Sequence, residues 1–135
     1  MMSGDHVLPT TTPHISGLGR GDALSKFFDS LDKVSALGPD VTVVLPAHGH
    51  PFADLAGRAK AIREHHLARL ELVRTAARDA GHPLSVQEVS TVLFSTRAQG
   101  PMADSETFAH LEHLRHRGEM TSRENEGLLC YRIAS

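Results

Sequence analysis

Residues 43–51 read V-V-L-P-A-H-G-H-P, and this segment guides the interpretation of the rest of the chain. β-Branched residues run almost continuously from Val41 to Leu45, which is typical of a strand covered on both faces. His48 comes just beyond the predicted strand end, where a sheet fixes the backbone and a side chain lies at the rim. Gly49 allows the chain to turn tightly there. The segment therefore predicts a buried strand that leads into a ligand-binding loop.

A second stretch, residues 3–9, reads S-G-D-H-V-L-P and places Asp5 and His6 in another predicted loop. A carboxylate such as that of Asp5 can bridge two divalent ions, and neutral imidazole suits Zn, Fe or Mn. His6 and His14 are candidates for substrate contact, and His50 for orienting His48. The chain has ten histidines, so a surface or packed role is the alternative for each.

Hydrophobic spacing predicts a helix on each side of the strand. Apolar residues recur every three or four positions from Leu24 to Leu37, and the pattern stops at Gly38-Pro39. A long helix is expected after Asp54, a good N-cap, with one apolar stripe that extends to Ala77. His66 falls on this stripe and is expected to be packed. Residues 1–20 are rich in Thr, Pro, Gly and Ser and are predicted to be loop.

The C-terminal part is predicted to contain two shorter helices and a hairpin. Ser85 and Glu88 form a capping box for the first of these helices. The next helix is expected to begin at Asp104 or Ser105, and residues 120–133 are expected to form a hairpin that turns at residues 124–127. Helix, helix, helix, hairpin is the order found in winged-helix domains. His110, His113 and His116 recur at a spacing of three, and a solvated helix face is the expected interpretation.

Composition excludes several classes of protein. The 135 residues include 14 basic and 16 acidic side chains and are 40% hydrophobic, which is typical of a folded globular chain. Residues 83–135 carry five basic and seven acidic side chains, which argues against nucleic-acid binding. No stretch is apolar enough for a membrane span or export signal. Cys130 is the single cysteine, so an intrachain disulfide is impossible; a structural thiol and a cytoplasmic location are expected.

The order of G-D-H-V-L-P, helix, V-V-L-P-A-H-G-H-P, long helix and winged helix resembles a known family. It is similar to the C-terminal part of metallo-β-lactamase-fold hydrolases, in the glyoxalase-II-like and endoribonuclease-like branch that carries a C-terminal winged-helix domain. The resemblance implies that Asp5 matches the bridging aspartate and His48 the late histidine of a site with two divalent metal ions, usually Zn, with Mn or Fe possible. It implies hydrolysis of a thioester, ester, lactone or phosphodiester in a small-molecule substrate by metal-bound hydroxide.

The sequence departs from this family at its central motif. No H-x-H-x-D-H occurs in these residues, so Asp5 and His48 offer two ligands where a catalytic zinc normally has three and a water. The resemblance thus implies an α/β remnant of the αββα sandwich in residues 1–52, a connecting helix in 53–82 and a mainly α winged-helix-like domain in 83–135, an α+β chain overall. The isolated chain is expected to be inactive.

Two expectations concern partners. The strand and the first helix, in residues 22–52, are expected to need cover from a second copy of the chain or from a separate polypeptide that carries the missing N-terminal half. The alternative function is a non-catalytic winged-helix module that binds another protein or a nucleic acid.

Overall fold

The computed structural model describes residues 2–4, 15, 21–47 and 49–134. These residues form two compact units. The first contains the described part of Met1–His14 together with Lys26–His66, and the second contains the described part of Ile15–Ser25 and of Leu67–Ser135. Helices α1 (Ala23–Ala36) and α2 (Leu55–Ala80) each contribute residues to both units.

The first unit contains most of α1, the first half of α2 and a two-stranded parallel sheet. The strands are β1 (Met2–Gly4) and β2 (Leu45–Pro46). Both helices were expected from their periodicity and are confirmed. Their apolar stripes supply the core of this unit together with one residue before β2, namely Phe28, Leu31, Val44, Leu55, Ala59 and Ile62.

The prediction of a strand over residues 41–45, covered on both faces, is wrong. The strand proper is Leu45–Pro46, and Val44 forms only a single antiparallel bridge with Phe52. Val44 is fully buried, but Val43 and Leu45 are 43% and 46% exposed. The β-branched run has the propensity for a longer strand, but β1 is the only strand among the described residues that pairs with it.

The second unit contains the end of α2, two further helices and a three-stranded antiparallel sheet. The helices are α3 (Val86–Leu93) and α4 (Pro101–His116). The strands β3 (Leu84–Ser85), β4 (Met120–Asn125) and β5 (Leu128–Ile133) are arranged in the order β3-β5-β4. Its buried residues include Leu70, Val73, Val89, Leu111, Leu114, Met120 and Tyr131. The predicted sequence of helices followed by a hairpin is confirmed, whereas β3 was not expected.

Helix α4 begins earlier than predicted. Pro101 is in its first turn, where a missing N–H costs nothing, so the helix starts at this proline and not at Asp104 or Ser105. The hairpin turn lies at the predicted place. Glu126 and Gly127 both have positive φ, 52° and 81°, as a two-residue turn of type I′ requires.

The N-terminal segment is not wholly loop. Residues 2–4 form β1, and Ile15 is buried at 5% exposure, so parts of the predicted loop contribute to structure.

Among the described residues, no helix combines the length and apolarity that crossing a membrane requires.

Candidate functional site

The sheet of the first unit pairs the two strands that precede Asp5 and His48 in the sequence. Strands β1 and β2 are parallel, with Met2 opposite Leu45 and Gly4 opposite Pro46. Parallel pairing places the carboxyl ends of both strands at one edge of the sheet. In the sequence, Asp5 directly follows β1, and His48 follows β2 by two residues.

The loop after β2 is closed by backbone hydrogen bonds. The Val44 N–H donates to the Phe52 carbonyl at 2.6 Å, and the Phe52 N–H donates to the Val44 carbonyl at 3.1 Å. Gly49, at φ 90°, lies in the left-handed region that favours glycine. The side chain of His50 is exposed. The segment between Val44 and Phe52 is therefore fixed at both ends, as a ligand-bearing loop requires.

Four of the candidate site residues, Asp5, His6, His14 and His48, lie outside the described residues. Within the described part of the chain, no three His, Cys, Asp or Glu side chains are grouped so that they would hold a metal ion. Asp5 and His48 have donor atoms that suit a divalent ion, but two ligands do not complete a catalytic site. The described residues alone therefore do not fit a metal centre, and further ligands would be needed.

His66 is a core residue of the first unit, as its position on the apolar stripe predicted. The side chain is fully buried. Its ring makes edge contacts with Phe27 and Phe28, with centroids 5.6 and 6.3 Å apart. Such edge-to-face packing favours a structural role over ligand binding.

The expectation of a solvated histidine face on α4 is wrong for two of the three residues. His110 is fully buried and His113 is 6% exposed; only His116 is exposed. His110 Nδ1 lies 2.7 Å from the Glu106 carbonyl, and His113 Nδ1 lies 2.9 Å from Asp22 Oδ2. Residues three apart lie on one side of a helix. Because α4 packs on both α3 and β4, two of the three rings lie on its covered side.

Other charged groups of α4 are also bound in the interior of the second unit. Glu106, 6% exposed, forms an ion pair with Arg69 at 3.2 Å, and the Arg69 guanidinium lies 4.4 Å from the ring centre of Phe94. Burial lowers the pKa of Arg69, and the nearby Glu106 charge partly opposes this. The ion pair with Arg69 offsets part of the cost of burying the Glu106 carboxylate.

Glu112, on the same helix, links α4 to β5. Its carboxylate accepts hydrogen bonds at 2.8 Å from Arg115 and from the Tyr131 hydroxyl. The Arg115 bond lowers the pKa of Glu112, while burial and the Glu112 carboxylate raise the pKa of Tyr131. No sequence pattern signalled this link, because its partners come from separate elements. These contacts stabilise the unit.

Comparisons with known proteins agree with the resemblance to the metallo-β-lactamase fold. Over 98% of its length, the chain matches a β-lactamase domain protein from Burkholderia ambifaria, with 33% identity and a TM-score of 0.90. It matches a metallo-β-lactamase family protein from Thermus thermophilus over the same share, with 32% identity and a TM-score of 0.82. The chain shares its fold with metallo-β-lactamase proteins. These likenesses support membership of that superfamily.

The match covers only part of each relative. The chain spans 40% of the Burkholderia protein and 41% of the Thermus protein. No protein-family model matches the chain, and no curated protein sequence matches it. The name of the Thermus protein places it in a metal-dependent family.

Proposed function

We propose that the chain forms part of a metal-dependent hydrolase of the metallo-β-lactamase superfamily. The observation that carries this proposal is the parallel pairing of β1 with β2, whose adjacent ends precede Asp5 and His48. The similarity to two metallo-β-lactamase proteins supports it independently.

In this proposal Asp5 is a bridging carboxylate and His48 a ligand of the second of two divalent ions, Zn or else Mn or Fe. His6 and His14 contact the substrate, and His50 orients His48. Two divalent ions held there would supply an activated water and would polarise the group that is cleaved. The substrate class is a thioester, ester, lactone or phosphodiester. The remaining ligands come from outside these 135 residues, which also calls for a second polypeptide region to cover the first unit.

The second unit is proposed to be a winged-helix-like domain with a structural role. Its helices and hairpin have the required order, but Glu106, near the start of α4, is buried and paired with Arg69, so this end of the helix presents few groups to a nucleic acid. A structural role fits these contacts better than operator recognition does.

Metal binding tests the site directly. Untagged protein is titrated with Co²⁺, whose visible absorption reports ligation. We expect saturable binding that weakens strongly on Asp5→Ala or His48→Ala and is unchanged on His116→Ala, which removes an exposed histidine of α4. Equal binding by all four proteins would contradict the proposed ligands and favour the non-catalytic module.

Hydrolysis is tested by complementation. The chain alone is expected to show no metal-dependent turnover, because two ligands cannot hold and activate a water as a complete site does. Addition of the Thermus region outside the match should restore Zn²⁺-dependent cleavage of a thioester or phosphodiester, and Asp5→Ala should remove it. Turnover by the chain alone that disappears with Asp5→Ala would show that the site is complete without a partner.

A further inference from the structure

One face of the hairpin formed by β4 and β5 carries two arginines and no acidic side chain. The register pairs Arg123 with Cys130 and Thr121 with Arg132. Directly opposed residues, and alternate residues along one strand, project from the same face of a sheet. These four side chains therefore share a face, which we call the arginine face. The remaining pair on it, Asn125 with Leu128, is also uncharged.

The arginine face is opposite to the face of the hairpin that packs on α4. Tyr131 lies between Cys130 and Arg132 in β5 and so projects from the opposite face, where it is fully buried and donates its hydroxyl hydrogen bond to Glu112 of α4. Arg123 and Arg132 are exposed, and Cys130 is half-buried. Solvent therefore has access to both guanidinium groups.

A cavity lies on this face. Its volume is about 320 Å³, which is at the lower end of the range for small-molecule sites. It is lined by Pro83, Thr121, Ser122, Arg123, Cys130 and Arg132. A second cavity of about 380 Å³ shares Pro83 and Arg132 and adds Arg78 and His82. The walls of both cavities are basic, although the chain as a whole has a net charge of −2.

The two arginines of this face differ from most others in the described part of the chain. Six arginines have a carboxylate within ion-pair distance, namely Arg63, Arg69, Arg74, Arg78, Arg115 and Arg117. Within the described residues, Arg123 and Arg132 have no such partner. They are diagonal neighbours across the strand pair, a relation that brings side chains to about 7–8 Å of each other. Their like charges repel, and a bound anion would remove this repulsion.

We propose that the arginine face is a binding site for a small molecule that carries a phosphate group. Two guanidinium groups can each donate paired N–H bonds to phosphate oxygens, a geometry for which arginine is better suited than lysine. The Thr121 hydroxyl adds a donor on the same face. The cavity leaves room for a compact organic group beside the phosphate.

The single cysteine provides a reporter inside the proposed site. Cys130 is the only thiol of the chain and lines the same cavity, so its rate of alkylation by neutral iodoacetamide measures access to this cavity. The rate is measured for the whole chain with inorganic phosphate and with chloride at matched ionic strength. We expect phosphate to slow the alkylation in a saturable manner.

Substitutions identify the side chains that bind phosphate and so protect Cys130 from alkylation. Arg123→Gln and Arg132→Gln should each raise the phosphate concentration needed for half-maximal protection about tenfold, because each removes a charge-assisted contact. Arg97→Gln, which removes an exposed arginine outside this face, should leave it unchanged. Each protein is compared with itself, with and without phosphate, so any effect of a substitution on the intrinsic reactivity of the thiol cancels. Calorimetric titration with phosphate gives a second measurement that does not involve the thiol.

Three outcomes would overturn the proposal. The first is an equal rate of alkylation in phosphate and in chloride. The second is unchanged protection by phosphate in both glutamine variants. The third is equal protection by acetate, because the site would then have no preference for phosphate. Retained circular dichroism spectra of the variants establish that loss of protection is not loss of the fold.

Discussion

Glu119 joins two arginines just beyond the end of α4. Arg74 donates two hydrogen bonds to its carboxylate, at 2.9 and 3.1 Å, and Arg117 donates one at 2.9 Å. The Arg74 hydrogen bonds, with help from Arg117, lower the pKa of Glu119 from 4.5 to about 2. Between these two values the unfolded chain binds a proton that the folded chain does not.

This difference predicts acid sensitivity with a definite sign. Stabilisation by Glu119 is fully present above pH 4.5 and is lost as the pH falls towards about 2, since protonation then favours the unfolded chain. Urea unfolding at about pH 5 and about pH 3, on either side of the ordinary carboxyl pKa, should show a smaller loss of stability for Glu119→Gln than for the wild type. The Glu119 side chain is 35% exposed, so salt should weaken the effect.

Glu124→Gln is the matched control for this measurement, because Glu124 is exposed on β4 and has no ion-pair partner within the described residues. Its pH dependence should follow that of the wild type. If the free energy of unfolding changed equally with pH in Glu119→Gln and in the wild type, the contacts of Glu119 with the two arginines would not persist in solution.

The burial of single residues could be predicted from the sequence in some cases but not in others. His66 was correctly assigned to the core because its neighbours on α2 define an apolar stripe. His113 was not, because its partner Asp22 is 91 positions away and no local pattern connects them. The same holds for Tyr131 and Glu112. Polar contacts between distant elements depend on tertiary packing that periodicity does not encode.

At the scale of elements, the capping box of α3 was predictable from the short motif that Ser85 and Glu88 delimit. The Glu88 N–H donates to Ser85 Oγ at 3.2 Å, and the Ser85 N–H donates to the Glu88 carboxylate at 3.2 Å. Ser85→Ala should lower the free energy of unfolding by about 1 kcal/mol, because it removes a partner of the first-turn N–H groups. Ser95→Ala should change it by less than about 0.5 kcal/mol, since Ser95 precedes a short 3-10 turn with no side-chain cap. Urea unfolding measures both, and equal losses would contradict this role of the cap.

Helix α2 offers a test of core packing. Leu70 is 1% exposed, whereas Leu72 on the same helix is 48% exposed. Leu70→Ala should cost about 2–5 kcal/mol in urea unfolding, because it removes buried methyl groups and leaves a cavity. Leu72→Ala should stay within about 0.5 kcal/mol of the wild type. Similar values for the two variants would show that this stripe does not form the core.

The helices could be predicted because a stripe of apolar residues recurs over many turns. Leu111 of α4 is fully buried. The length of the strand in residues 41–45 was predicted wrongly, because these residues show strand propensity but do not specify how many strands pair with them. The short strands β1 and β3 were not predicted, because two or three residues are too few to establish an alternating pattern.

For the molecule as a whole, the sequence predicted the fold that the chain shares with metallo-β-lactamase proteins. For the candidate site it predicted only the two segments near which the site would lie. The motifs around Asp5 and His48 indicated two loops, and the described strands before them pair side by side. The division into residues 1–52, 53–82 and 83–135 stays a prediction. It differs from the two compact units because α1 and α2 each contribute to both, and because the described residues among 15–25 belong to the second unit together with those from Leu67 onwards.

The two-stranded sheet of the first unit is the basis for the prediction that the chain associates. Parallel sheets are normally covered on both faces, and a pair of strands is rarely stable by itself. Here Val43 and Leu45 remain 43% and 46% exposed beside this pair. Burying such a surface removes apolar area from water and pairs a free strand edge.

We therefore expect the isolated chain to form a homodimer at micromolar concentration through residues 22–52, in the absence of a separate polypeptide that would cover the same surface. Leu45→Lys should shift the sedimentation profile towards the monomer, because a charge would have to be buried at the contact. Met102→Lys, at a 65% exposed position of α4 in the other unit, should leave the profile unchanged. A wild-type monomer whose residues 41–46 are nevertheless protected from hydrogen exchange would refute this, because the exposed strand would then be stable without a partner.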